Sequence, residues 1–218
     1  MVVAVERGFV ILDDTWAEIA TVPATADPRV RMNDGSCDPQ GRFYCGTMAY
    51  EATDGAGVLY CLDRDRAVRP VLPGVTVSNG LGWSRDGTTA YYVDSARQSI
   101  DAFDFDGATG QFSRRRQLVT VDPVTGTPDG LTVDAGGCVW VALWDGAAVH
   151  CYSPAGELLS VLRLPTPRVT SCVFGGPGLA DLYVTTSRLG VDGDDRAAGS
   201  VFRFRPGVTG MPPLTYAG

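Results

Sequence analysis

The 218-residue chain is acidic, with 18 basic against 25 acidic side chains, a net charge of −7 and a pI near 4.6, which argues against nucleic acid or an anionic membrane as its partner. It has no lysine, which excludes Schiff-base chemistry and the phosphate-cradling lysine of nucleotide-binding loops. A hydrophobic content of 44% supports one domain over residues 1–218; no signal peptide and no run of transmembrane length is visible, so a reducing cytoplasm is the expected compartment.

In chain order, residues 2–5 and 9–12 read as strands joined by a turn at Arg7-Gly8, and 16–22 as a third. The next unit opens on Arg31-Met32-Asn33-Asp34-Gly35, turns at Asp38-Pro39-Gln40-Gly41 and runs through strands 42–48, 57–63 and 67–72. Another opens at Asn79, turns at Arg85-Asp86-Gly87 and continues through 90–93, 99–104 and 117–121. A further unit opens at Asp129 and runs through 139–143, 148–152 and 158–164; the last opens near Ser171, with strands at 182–186 and 200–205. No ten-residue window carries a helical period, so the chain is predicted to be all-β.

Each opening sets a short polar residue and a glycine before a β-rich run: Asn33-Asp34-Gly35, Ser78-Asn79-Gly80-Leu81, Pro128-Asp129-Gly130-Leu131, and a weaker Thr170-Ser171-Cys172. Gly35 to Gly80 is 45 residues, Gly80 to Gly130 is 50, and Gly130 to Cys172 is 42. That is the period of β-propeller blades. The length accommodates about four to five blades at this period, starting inside one and short of a closed ring. Equivalent strands of a propeller meet around one axis, so Asn33, Asp34, Asn79 and Asp129 are expected to converge at one mouth of the channel.

These motifs resemble the gluconolactonase/regucalcin (senescence marker protein) family. The resemblance rests on Arg31–Gly35 with Gly46-Thr47-Met48, on Ser78–Leu81 with Tyr92-Val93-Asp94-Ser95, and on Pro128-Asp129-Gly130 with Trp140-Val141-Ala142. Thr170–Gly176, Leu182–Thr185 and the ending Tyr216-Ala217-Gly218 extend it over nearly the whole chain. It implies a six-bladed β-propeller of the sugar-lactonase type, a bound divalent cation (Ca²⁺ first, with Zn²⁺, Mg²⁺ or Mn²⁺ as alternatives) and hydrolysis of a small sugar lactone. Asn79 and Asp129 match two metal ligands of the family, and Asp129 also its general acid/base. Arg31, Asn33 and Glu51 match positions that contact the sugar. The family's third protein ligand is a glutamate in a Gly-Glu-Gly-Pro-like stretch that precedes the segment where this chain begins, and Glu18 stands in a later strand. The expectation is therefore a propeller truncated by its first blade and a half, through a misassigned start or naturally, with weak or absent activity.

Read without the resemblance, the same residues have plainer roles. An Asx-Gly pair before a strand is ordinary turn chemistry, and Asp34 is read that way. Arg31 could serve a blade-edge ion pair, and Glu51 lies just past a strand end. His150, the only histidine, cannot build a Ser-His arrangement and reads as packed in its strand. Arg114-Arg115-Arg116 reads as a solvated turn, Trp83, Trp140 and Trp144 as packing, and Asp192-Gly193-Asp194-Asp195 lacks the spacing of a calcium loop. Cys37, Cys45, Cys61, Cys138, Cys151 and Cys172 contain no C-x-x-C pair and read as buried free thiols rather than a zinc site. The competing functions are a non-catalytic calcium-binding propeller that self-associates through open blade edges, and a hydrolase of non-sugar lactones or phosphoesters.

Overall fold

A computed structural model describes residues 1–191 and 193–218; of the predicted acidic loop, Asp192 falls outside the described residues. The chain folds into five antiparallel sheets, each a meander of consecutive strands. The first holds β1 (Val2–Val5), β2 (Gly8–Leu12) and β3 (Glu18–Pro23). The second holds β4 (Val30–Cys37), β5 (Phe43–Ala49), β6 (Gly57–Leu62) and β7 (Val68–Val75). The third comprises β8 (Ser78–Trp83), β9 (Thr89–Asp94), β10 (Ser99–Asp106) and β11 (Gln111–Thr120). The fourth comprises β12 (Thr127–Val133), β13 (Val139–Trp144), β14 (Ala148–Tyr152) and β15 (Leu158–Arg163), and the fifth β16 (Val169–Gly175), β17 (Asp181–Thr186) and β18 (Val201–Phe204). The inner strands β4, β8, β12 and β16 pack on one another in that order around a channel, the arrangement of a propeller with five blades. Among the described residues no strand of the first sheet packs on one of the fifth as the inner strands pack on their neighbours, so these five blades do not close into a ring.

Stacking explains the sequence patterns. A strand in a middle blade is covered on both faces and loses its polar alternation. All five residues of β14 are buried, as are Val139 to Leu143 of β13. On β9, Tyr91 and Val93 pack toward the fourth sheet while Ala90 and Tyr92 pack toward the second. Trp140 and Ala142 face the fifth sheet, and Val139, Val141 and Leu143 the third. The end sheets keep the alternation because one face is open: β1 and β18 alternate half-buried with exposed residues.

Two predicted segments differ. Strand β3 starts at Glu18 rather than Trp16, because the Asp13 carboxylate accepts the backbone N–H groups of Thr15 and Ala17 and closes a turn there. Trp16, left-handed at φ 68°, stands exposed on that turn. Arg114-Arg115-Arg116 lies on outer strand β11, not on a turn; Arg115 pairs with Asp101, and Arg114 and Arg116 pair with Asp104, both on β10. An outermost strand facing water has the composition of a turn, and the ion pairs replace an apolar face.

The last residues form a strap. Gly210 donates to the Leu179 carbonyl and bridges to Asp134 of the fourth sheet. Met211 to Leu214 cross the end of the channel opposite the cleft described below. Ala217 then donates to the Gly41 carbonyl and the Tyr216 hydroxyl to the Asp63 carbonyl, both in turns that connect strands of the second sheet.

Candidate active site at the channel mouth

Each inner strand carries a β-bulge where its opening signature falls. Pairing shifts between Met32 and Gly35 in β4, Ser78 and Leu81 in β8, Pro128 and Leu131 in β12, and Val169 and Ser171 in β16. A bulge takes residues out of the ladder and re-aims their side chains. Those caught in it are Asn33-Asp34, Asn79-Gly80, Asp129-Gly130 and Thr170. As a result Asn33, Asn79, Asp129 and Thr170 line one cleft of about 620 Å³, walled by Met48, Val77, Ala96 and Trp144. Glycine is needed beside them because the inner strands come so close: a Cβ on Gly80 would lie 2.7 Å from the Asp129 carbonyl oxygen, and one on Gly130 would collide with Ser171.

One chain of hydrogen bonds runs beneath the cleft. Arg31 Nη1 donates to Asn33 Oδ1 at 2.8 Å, and Asn33 Nδ2 donates to Asn79 Oδ1 at 2.9 Å and to the Ser78 carbonyl at 2.7 Å. Asn79 Nδ2 donates to Ser95 Oγ at 2.7 Å, and that hydroxyl donates to the Pro128 carbonyl at 2.7 Å. The chain ends one residue before Asp129. Each amide is therefore fixed in orientation, and Asn79 Oδ1 is held against Asn33.

Asp129 is half-buried, and burial, with the Asp34 charge adding to it, pushes its carboxyl up to about 7 against a pull downward from the Gly130 N–H. Burial also raises Asp34, whose carboxylate accepts the Gly35 N–H at 2.8 Å. Among the described residues neither carboxylate has an arginine in salt-bridge range. Asp34 does not line the mouth with the others; it faces the lower cavity of about 280 Å³ that the strap closes.

The predicted residues thus separate. Asn33, Asn79 and Asp129 share the cleft, and Arg31 stands behind Asn33, also donating to the Met32 carbonyl and Met48 sulfur. Glu51 is on the exposed turn after β5 and does not line the cleft, and Glu18 is exposed and bonded to Thr21. His150 is buried, its Nδ1 2.9 Å from the Tyr152 hydroxyl. Trp83 and Trp140 are core, but Trp144 is a wall of the cleft, where Arg168 stacks on its ring. Ser95, which the sequence offered only as the end of the motif Tyr92–Ser95, is a link whose role appears in the structure alone. It lies on the one-turn helix after β9 and belongs to no repeat.

Fold and site together define an open β-propeller whose channel mouth carries an amide and a carboxylate in a cleft with apolar walls. Residues 1–188 match the family described as the SMP-30/gluconolactonase/LRE-like region, and the chain belongs to this family. Regucalcin of Homo sapiens is 40% identical over 218 residues, covering 93% of this chain and 73% of that protein. A luciferin-regenerating enzyme structure superimposes with TM-score 0.88 and 34% identity, covering 99% of this chain and 76% of that one. A regucalcin from Agrobacterium tumefaciens strain C58, described as a calcium-binding protein, superimposes with TM-score 0.92 and 28% identity, covering 99% and 75%.

Proposed function

We propose that this protein is a divalent-cation-dependent lactonase that opens sugar lactones, with Asp129 as general acid and base. The observation that carries the reading is the set of bulges in register, which bring Asn33, Asn79 and Asp129 into one cleft. Family membership supports it, since the family includes gluconolactonases.

The donor set fits a hard cation. An amide oxygen and a carboxylate are ligands of the Ca²⁺ and Mg²⁺ type, and among the described residues the Asp129 carboxylate has no basic partner to offset it. Asn79 Oδ1 and the Asp129 carboxylate would hold the ion, with Ca²⁺ preferred and Mg²⁺, Mn²⁺ or Zn²⁺ as substitutes. When bound, such an ion polarises a carbonyl oxygen. One carboxylate ligand gives a weak calcium site, because affinity follows ligand charge.

The chain's own residues do the rest. Asp129 takes a proton from the water that adds to the lactone carbonyl carbon. As the bond from that carbon to the ring oxygen breaks, Asp129 returns the proton to the ring oxygen, which leaves as a hydroxyl. Asn33 and the Arg31 behind it address sugar hydroxyls, Arg31 through its planar fork of donors. Met48, Val77 and Trp144 cover the ring and limit water.

The test is proton release from gluconolactone by the 218-residue chain in chelator and with Ca²⁺, Mg²⁺, Mn²⁺ or Zn²⁺. Cation-dependent turnover should fall by about 10²–10⁴ in Asp129→Asn. Turnover that persists in chelator, or is equal in the variant, would overturn the mechanism. Ca²⁺ binding with no turnover at all would instead support the non-catalytic scaffold.

A further inference from the structure

The fourth blade carries a second cluster of metal-binding groups, at the end of β12 away from the cleft. Asp129 lies in the bulge near the start of that strand and Asp134 follows its last residue, a separation on the order of 15 Å at the usual strand rise. The ligand atoms of Asp134, Cys138 and Cys151 all lie within 4.8 Å of one another. Pairing makes this possible: Val139 opposes Tyr152 and Trp140 opposes Cys151, so Cys138, one residue before β13, meets Cys151 diagonally on the same face.

The surroundings of Asp134 set it apart. Three of the other buried carboxylates, Asp38, Asp101 and Asp181, each pair with an arginine (Arg42, Arg115 and Arg205), and Asp94 instead accepts the backbone N–H groups of Thr76 and Val77 with no thiol in its cluster. Asp134, only 2% exposed, has no such partner among the described residues. In the equivalent turn of the second blade Arg42 stands four residues after Asp38, whereas here the residue four after Asp134 is Cys138. The Asp134 carboxylate is rigidly held nonetheless. Its Oδ1 accepts the N–H groups of Gly136 and Cys138 at 2.9 Å each, and its Oδ2 accepts Trp140 Nε1 at 2.9 Å, leaving one lone pair on Oδ2. A buried anion without a cation faces two thiols. One of them, Cys138, is half-exposed and offers a route from solvent.

We propose that Asp134, Cys138 and Cys151 form a binding site for a thiophilic divalent cation of the Zn²⁺ class, separate from the cleft. Two sulfurs and one carboxylate oxygen are a three-ligand set for such an ion, with a fourth position open to water. Each thiol gives up its proton on binding, so two metal–sulfur bonds form and two protons pass to the buffer. All three ligands come from one blade, and the hydrogen bonds to Asp134 orient the carboxylate as supporting groups do in metal sites.

The experiment is a Cd²⁺ titration of the fully reduced chain, followed by the ultraviolet thiolate-to-metal charge-transfer band, with Zn²⁺ as competitor. One Cd²⁺ per chain should produce the band, and Zn²⁺ should abolish it. Cys138→Ser, at the half-exposed position where folding is least at risk, should remove the band or weaken binding at least tenfold. Asp134→Asn should weaken it about tenfold. Asn79→Ala should leave it unchanged. No band in the wild-type chain, Cd²⁺ binding and band undiminished in Cys138→Ser, or a band lost in Asn79→Ala would overturn the proposal.

Discussion

Asp129 is half-buried with no base in salt-bridge range among the described residues, the charge of Asp34 in the cavity below adds to the effect of burial, and the fold prefers its uncharged form. A carboxyl raised from 3.8 in the unfolded chain to about 7 in the folded one stabilises the cation-free protein fully below pH 4, and this contribution is lost as pH rises toward 7. Asp129→Asn keeps the neutral shape at every pH. Calorimetric scans in chelator should find the variant close to wild type at pH 4 and more stable at pH 8, by at most on the order of 4 kcal/mol. Saturating Ca²⁺ should restore the wild type selectively. Equal stability at pH 8 without cation would show that the carboxylate is not held against its preference. At this scale the sequence was readable where chemistry repeats. Asn33, Asn79 and Asp129 announce themselves by the glycine that follows in register. Asp34 carries the same signature but faces the lower cavity, because the same bulge holds two residues and they face different cavities.

At the scale of elements, the bulge is the device that turns a structural strand into a site. Each inner strand must pair with its neighbour along most of its length, yet present one polar group to the axis; the bulge permits both. The one-turn helix after β9 then locks two bulges together through Ser95, which accepts from Asn79 and donates to Pro128. Ser95→Ala should lower Ca²⁺ affinity about tenfold by calorimetric titration, while leaving the fold intact apart from about 1 kcal/mol. An unchanged affinity would mean that Asn79 needs no such brace. The strands themselves were legible from apolar runs between Gly and Asp turns. Their edges were not, where a side chain such as Asp13 closes a turn or where an outer strand such as β11 is paired by ion pairs. The Cys138–Cys151 approach was hidden for a different reason. Twelve residues lie between the two cysteines, and only the β13–β14 register shows that they meet.

At the scale of the molecule, stacking blades bury both faces of the middle sheets and leave one face of each end sheet bare. Val3 and Val5 stand exposed on the first, and Val173 and Val201 share a face of the fifth. Such apolar faces recruit partners. Sedimentation velocity should show concentration-dependent self-association that Val173→Lys with Val201→Lys diminishes; a wild-type chain that stays monomeric at all concentrations would remove this expectation. The period of about 45 residues foretold the blades, but the strap from Gly210 to Gly218 has no period, and proline-rich tails give no pattern by which to place them. Its placement has a consequence for how the chain folds. Tyr216 and Ala217 dock on turns of the second blade, some 150 residues back along the chain. The strap has nothing to dock on until that blade has formed, and closing so long a loop makes its docking a late event, so the lower end of the channel is the last part of the propeller to be covered.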